Sequence, residues 1–160
     1  MTIGRRKFII LATAGTLIAG GTALGTVLLP GERARNGPPS IRLGAEQCGY
    51  CGMVISDARF AAAWREASGR EQHFDDIGCM VNAGRHRAPG AGTSWWVTDY
   101  RSQSLIEAST ARYVFAGSIR TPMDYGVAAL ARSEDIGTLT QSAAAAVSWD
   151  EARERVERKG

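Results

Sequence analysis

From Phe8 to Pro30 the chain runs 23 residues without a charge, directly after Arg5-Arg6-Lys7, and this stretch limits the fold most strongly. Gly15, Gly20, Gly21 and Gly25 make it poor material for a packed core helix. A twin arginine followed by an uncharged run predicts a twin-arginine-type export signal. Its basic start stays on the cytoplasmic side while the apolar part enters the membrane. The rest of the chain is then expected at the periplasmic or extracytoplasmic face. The run also reaches the ~20 residues needed to span a bilayer. No A-x-A cleavage site follows, so an uncleaved membrane anchor through residues 8–30 is the alternative. No lipobox-type cysteine follows either.

With residues 1–30 set aside, Gly31 to Ser40 reads as a linker, because Pro38-Pro39 holds an extended backbone. Residues 41–160 remain, enough for one modest core. The formal charge is +3, yet the first 37 residues carry +4, from Arg5, Arg6, Lys7, Arg33 and Arg35 against Glu32. The remainder sums to −1 and gives no case for a nucleic-acid partner.

Within the body, β-rich runs predict strands at Phe60–Trp64, Gln72–Phe74, Trp95–Tyr100 and Arg112–Phe115. Ser68-Gly69-Arg70 reads as a hairpin break between the first two. Ile77, Met80 and Val81 recur at helical spacing after Asp75-Asp76, which predicts a capped helix over Ile77–Arg85 with Cys79 in its first turn. Further on, a second helix is expected from Ser133 through Ala143–Ala146, a return strand at Ala145–Trp149 and a charged terminal helix at Trp149–Lys159. The order suggests an α+β body of two small β-β-α-β units.

The chemistry lies in the sulfur. Apart from Met1, the six sulfur residues are Cys48, Cys51, Met53, Cys79, Met80 and Met123. They fall in three short segments, Cys48-Gly-Tyr-Cys51-Gly-Met53, Asp75-Asp-Ile-Gly-Cys79-Met80 and Thr121-Pro-Met123-Asp-Tyr-Gly126. Core methionine would be scattered among Leu and Val; here it sits beside Gly or Pro, on turns that can present a side chain to a ligand. Thiolate with thioether points to Cu(I). Two other readings stay open on spacing alone. A C-x-x-C pair outside the cytoplasm can be a disulfide or a thiol-disulfide redox couple, and a structural zinc site could recruit Cys79 and His73. His73 reads equally well as a solvated strand residue, and His86 as a helix C-terminal residue. No Ser-His-Asp arrangement, phosphate-cradling loop or nucleotide fingerprint is present, so the sequence argues against an enzyme.

Taken in order, these segments resemble the NosL family, the accessory proteins of nitrous oxide reductase. The resemblance extends through Asp57-Ala-Arg-Phe60, Phe74-Asp-Asp-Ile-Gly-Cys79-Met80, Trp96-Val-Thr-Asp-Tyr100 and Thr121-Pro-Met123-Asp-Tyr-Gly126-Val-Ala-Ala129. It implies an exported copper chaperone that binds Cu(I) and hands it to nitrous oxide reductase, working with that enzyme's membrane-bound maturation complex. It also implies a body of two β-β-α-β units, similar to the organomercurial-lyase accessory fold. Many members are lipoproteins, from which this chain departs by its twin-arginine-like leader. Met123 and the Cys48-x-x-Cys51-Gly-Met53 segment are the leading ligand candidates, followed by Cys79 and Met80. The turn at Thr121-Pro122 is expected to face Met123 toward the Cys48–Met53 turn.

Overall fold

The structure, a computed structural model, describes residues 37–131, 139 and 145–160. Strands β1 (Ala62–Arg65) and β2 (Glu71–Phe74) form an antiparallel hairpin pairing Ala62 with Phe74 and Arg65 with Glu71. Helix α1 (Ile77–Arg87) follows, and β3 (Ser94–Thr98) returns antiparallel on the other side of β1. A short β4 (Leu105–Glu107) completes a four-stranded sheet in the order β2-β1-β3-β4. Strands β5 (Arg112–Phe115) and β6 (Val127–Leu130) make a second, two-stranded sheet, and the terminal helix α2 spans Trp149–Lys159. The architecture is the α+β body that the sequence suggests, with β1-β2-α1-β3 as its first unit. Among the described residues no helix is long and apolar enough to cross a membrane.

Differences from the sequence reading lie at the element ends. The first strand begins at Ala62 rather than Phe60, because the Asp57 carboxylate accepts the Arg59 N–H and the Asp57 carbonyl accepts the Phe60 N–H, closing a turn. The third ends at Thr98 rather than Tyr100, since Asp99 starts a turn whose carboxylate accepts both the N–H and the hydroxyl of Ser102. Helix α1 runs two residues past Arg85. Val127–Leu130, a fully buried Val-Ala-Ala-Leu, has no alternation for a sequence reading to detect. Ala145–Trp149 is not a strand. Val147 makes one antiparallel bridge to Tyr113, and Trp149 already opens α2, capped by Ser148 and Glu151 in a reciprocal capping box. The helix expected from Ser133 lies mostly outside the described residues, as does the leader.

The two sheets meet where Asp99 bridges Ala129, with the Tyr100 N–H bonded to the Ala129 carbonyl. Around this seam the main core joins Trp64, Phe74, Ile77, Met80 and Tyr113. Trp64 stacks obliquely on Phe74 and meets Trp95 edge-on, with ring centroids 4.7 and 5.0 Å apart. This core holds β2 and α1 rigidly together, and the sulfur segments hang on their junction.

Candidate metal centre

Residues 47–54 form a tight loop closed by a lone antiparallel bridge between Gln47 and Val54. The Cys48 N–H donates to the Met53 carbonyl at 2.7 Å and the Gly52 N–H to the Cys48 carbonyl at 3.0 Å. Gly52 sits at φ +77°, which a side chain would oppose. The Gly49 N–H bonds to the His73 carbonyl at 2.9 Å, so the loop is pinned to β2. A Cβ on Gly49 would lie 2.6 Å from the Gln72 Oε1, the free end of a flexible side chain that can turn aside, and 3.5 Å from the His73 carbonyl, an ordinary contact. The sequence thereby fixes both where the loop closes and where it rests.

Cys79 arrives from the other side, on the first turn of α1. Asp76 is the N-cap, extended at φ −147°, and its Oδ1 accepts the Gly78 N–H at 2.7 Å. Its Oδ2 accepts the N–H of Met123 at 3.2 Å, and Thr121 adds a side-chain hydrogen bond, so one carboxylate ties the 121–126 turn to the start of the helix. The Tyr125 ring then packs against Gly78, where an added Cβ would come within 2.2 Å of it, and the Tyr125 hydroxyl accepts from Asn82 at 2.8 Å. Sequence reasoning assigned Asp76 only a cap. Gly78, a poor helix former inside a helix, was the available signal that something packs closely there.

The sulfurs of Cys48, Cys51 and Cys79 all lie within 4.8 Å of one another, and all three thiols are free. No other group of three His, Cys or carboxylate ligands comes together this closely among the described residues. Cys79 therefore belongs with the C-x-x-C pair from the outset. Cys48 and Cys79 are buried, while Cys51 is partly exposed. Met53 and Met123 are 43% and 39% exposed, on the loop that carries two of the thiols and on the turn tied to the helix that carries the third. Met80 is fully buried in the main core. His73 is engaged elsewhere, with Nδ1 against the Glu46 carboxylate and Nε2 3.4 Å from the Glu71 carboxylate. His86 is in the last turn of α1 and stacks on Tyr50.

Three thiols this close cannot titrate independently. Cys48 is pushed down to about 4, first by the Cys79 thiol donating to it and then by the backbone N–H groups of Asp75, Cys51 and Tyr50. Cys79 is driven far up by that same hydrogen bond and by burial, and burial also raises Cys51. Within the metal-free cluster the negative charge is thus favoured on Cys48, and the proton on Cys79 and Cys51. Asp75 and Asp76 are buried beside it, and burial raises the pKa of each. A thiolate backed by buried carboxylates favours a cation entering among the sulfurs, and thiolate sulfur favours a soft one.

The family model named NosL matches residues 41–151. Among solved structures, the crystal structure of the copper chaperone NosL from Shewanella denitrificans aligns with a TM-score of 0.56 at 17% identity, covering 71% of this chain and 96% of that one. At that identity the likeness is one of fold. No curated protein matches the chain.

Proposed function

The chain belongs to the NosL family, and from that premise we propose that it is an exported metallochaperone that carries Cu(I) for the maturation of nitrous oxide reductase. The observation that carries this reading is the cluster of three free thiols within 4.8 Å, partly exposed at Cys51, with the exposed Met53 on the same loop and the exposed Met123 on the turn bonded to the cap of the Cys79 helix. Cys48 supplies the first ligand already ionised, and Cu(I) entering beside it displaces the proton that the Cys79 thiol shares with it. Cys51 completes a soft set. Met53 or Met123 then adds a neutral thioether, which strengthens Cu(I) binding and does almost nothing for a harder ion. Met80, sealed in the core, is left to packing. A structural zinc site takes four closed N or S ligands. Among the described residues no His or carboxylate joins the three sulfurs at this range.

A carrier must release what it holds. Few ligands, one of them at the surface, leave the ion open to attack by an acceptor's sulfur, so handover proceeds by stepwise ligand exchange without catalysis of a covalent reaction. On this reading nitrous oxide reductase, or its membrane-bound maturation complex, is the acceptor. The leader delivers the body to the periplasmic face; replacing Arg5 and Arg6 by lysine should stop export, and unimpeded export would refute that assignment.

The reduced chain should bind one Cu(I) against a competing chelator and prefer it to Zn(II). Met123→Leu should weaken Cu(I) binding while changing folding stability by less than ~1.5 kcal/mol, since the swap conserves volume at an exposed position. Retention of one Zn(II) that Cu(I) cannot displace would replace the chaperone reading with a structural zinc site.

A further inference from the structure

Capping a helix takes one side-chain oxygen, as Ser148 shows with its hydroxyl at the start of α2. Asn and Ser fill that role about as well as Asp. Asp76 caps α1 from a fully buried position, where a carboxylate is harder to accommodate than a neutral cap. Capping alone therefore does not account for a carboxylate at this place.

The second oxygen does. While Oδ1 accepts the Gly78 N–H, Oδ2 accepts the Met123 N–H at 3.2 Å, and Thr121 adds its side-chain hydrogen bond. A carboxylate can accept on both sides; an amide would turn N–H groups toward one set of donors, and a serine has no second oxygen to offer. The turn held in this way is internally tied. The Thr121 carbonyl accepts the Asp124 N–H at 3.0 Å and its hydroxyl accepts the Gly126 N–H at 3.3 Å, with Asp124 and Gly126 both at positive φ. Its register against α1 is then set by Asp76 and by the Tyr125 ring packed on Gly78. Asp75 acts likewise on the opposite side, where its Oδ1 accepts the Ser56 N–H at 3.3 Å just past the Cys48–Met53 loop. Two adjacent carboxylates at the β2–α1 junction thus hold the two segments that carry exposed methionines.

We propose that Asp76 is a positioning residue for the metal: by holding the 121–126 turn to the first turn of α1, it sets the Met123 thioether at the three-thiol cluster and so gives the site its preference for Cu(I) over Zn(II). This rests on the chaperone reading above and assigns the selectivity of that same site. The three thiols come together without any help from the turn, and thiolate sulfur by itself binds either ion. The thioether is the group that separates them. Methionine has three rotatable bonds, so the placement of the Met123 backbone decides what its sulfur can reach, and Asp76 bonds that backbone directly.

The test is a Cu(I) titration of the reduced full chain against a competing chelator, with a parallel Zn(II) titration, on Asp76→Asn, Met123→Leu and the double variant. Asp76→Asn keeps the volume and the capping oxygen but loses the acceptor for Met123. Its Cu(I) affinity should fall about tenfold, the lower end of the range for groups that orient a metal ligand. Zn(II) affinity should stay within about twofold, since no thiol is disturbed. Asp76→Asn should cause no further Cu(I) loss once Met123 is leucine. Asp76→Ser, which retains a capping hydroxyl without placing a donor against the turn, should repeat the pattern and serves if the Asn variant does not fold. A merely structural cap would weaken Cu(I) and Zn(II) together, because Cys79 sits on the helix it starts. That result overturns the proposal, as do losses that add fully in the double variant or native Cu(I) affinity in Asp76→Asn or Met123→Leu. Failure of the chaperone reading shows separately, as a native chain that takes up no Cu(I) in competition with the chelator.

Discussion

Replacing Cys48 by serine should lower Cu(I) affinity by at least ~100-fold, because outer-shell partners alone typically account for ~10–100-fold and Cys48 is assigned directly to the ion. Its sulfur accepts from the Cys79 thiol and from three backbone N–H groups, so it is the ionised centre of the cluster. The reduced, metal-free native chain should therefore show the ultraviolet absorbance of one thiolate at neutral pH, disappearing as the pH falls through about 4. The serine variant should lack it. Cys79→Ser should weaken Cu(I) binding comparably, and the pair should fall short of the sum of the single losses if both touch one ion. Native affinity in Cys79→Ser would remove the helix from the site and return the ligand set to the C-x-x-C loop.

Gly78→Ala should destabilise the fold by about 2–3 kcal/mol, the upper part of the range for overpacking, and lower the midpoint of thermal unfolding by on the order of 10 °C. Helix propensity alone predicts the reverse, since alanine in place of glycine gains about 1 kcal/mol inside a helix. The clash decides the sign: the new Cβ would lie 2.2 Å from the Tyr125 ring, whose turn is also anchored by Asp76 and Asn82. If Tyr125 yields, the 121–126 turn moves with it. Cu(I) affinity should then fall although no ligand has changed. Tyr125→Ala in the same chain should relieve most of the Gly78→Ala penalty, a coupling that a double-mutant cycle reads directly. A Gly78→Ala chain as stable as the native one would mean that the ring does not rest on the helix.

The α+β class, the hairpin at Ser68–Arg70, the helix opening at Ile77 and the helix at Trp149–Lys159 were legible because each carries a local signal. A turn residue, a capping carboxylate or a reciprocal Ser148–Glu151 box acts within three or four residues. The six sulfurs were legible as chemistry for a similar reason, since softness belongs to the atom and needs no neighbour. The Leu105–Glu107 and Val127–Leu130 strands were not legible, because each exists only through its partner across the sheet. Cys79 and Met80, adjacent in sequence, could not be told apart as ligand and packing residue. Only the pinning of the Cys48 loop onto β2 and the direction in which α1 leaves Asp76 bring one sulfur to the other thiols and leave its neighbour in the core. The link from Asp76 to Met123 spans 47 residues, and no local periodicity can announce it. Local rules set which groups were present, and long-range packing decided which of them meet, because a metal site is defined by distances between segments.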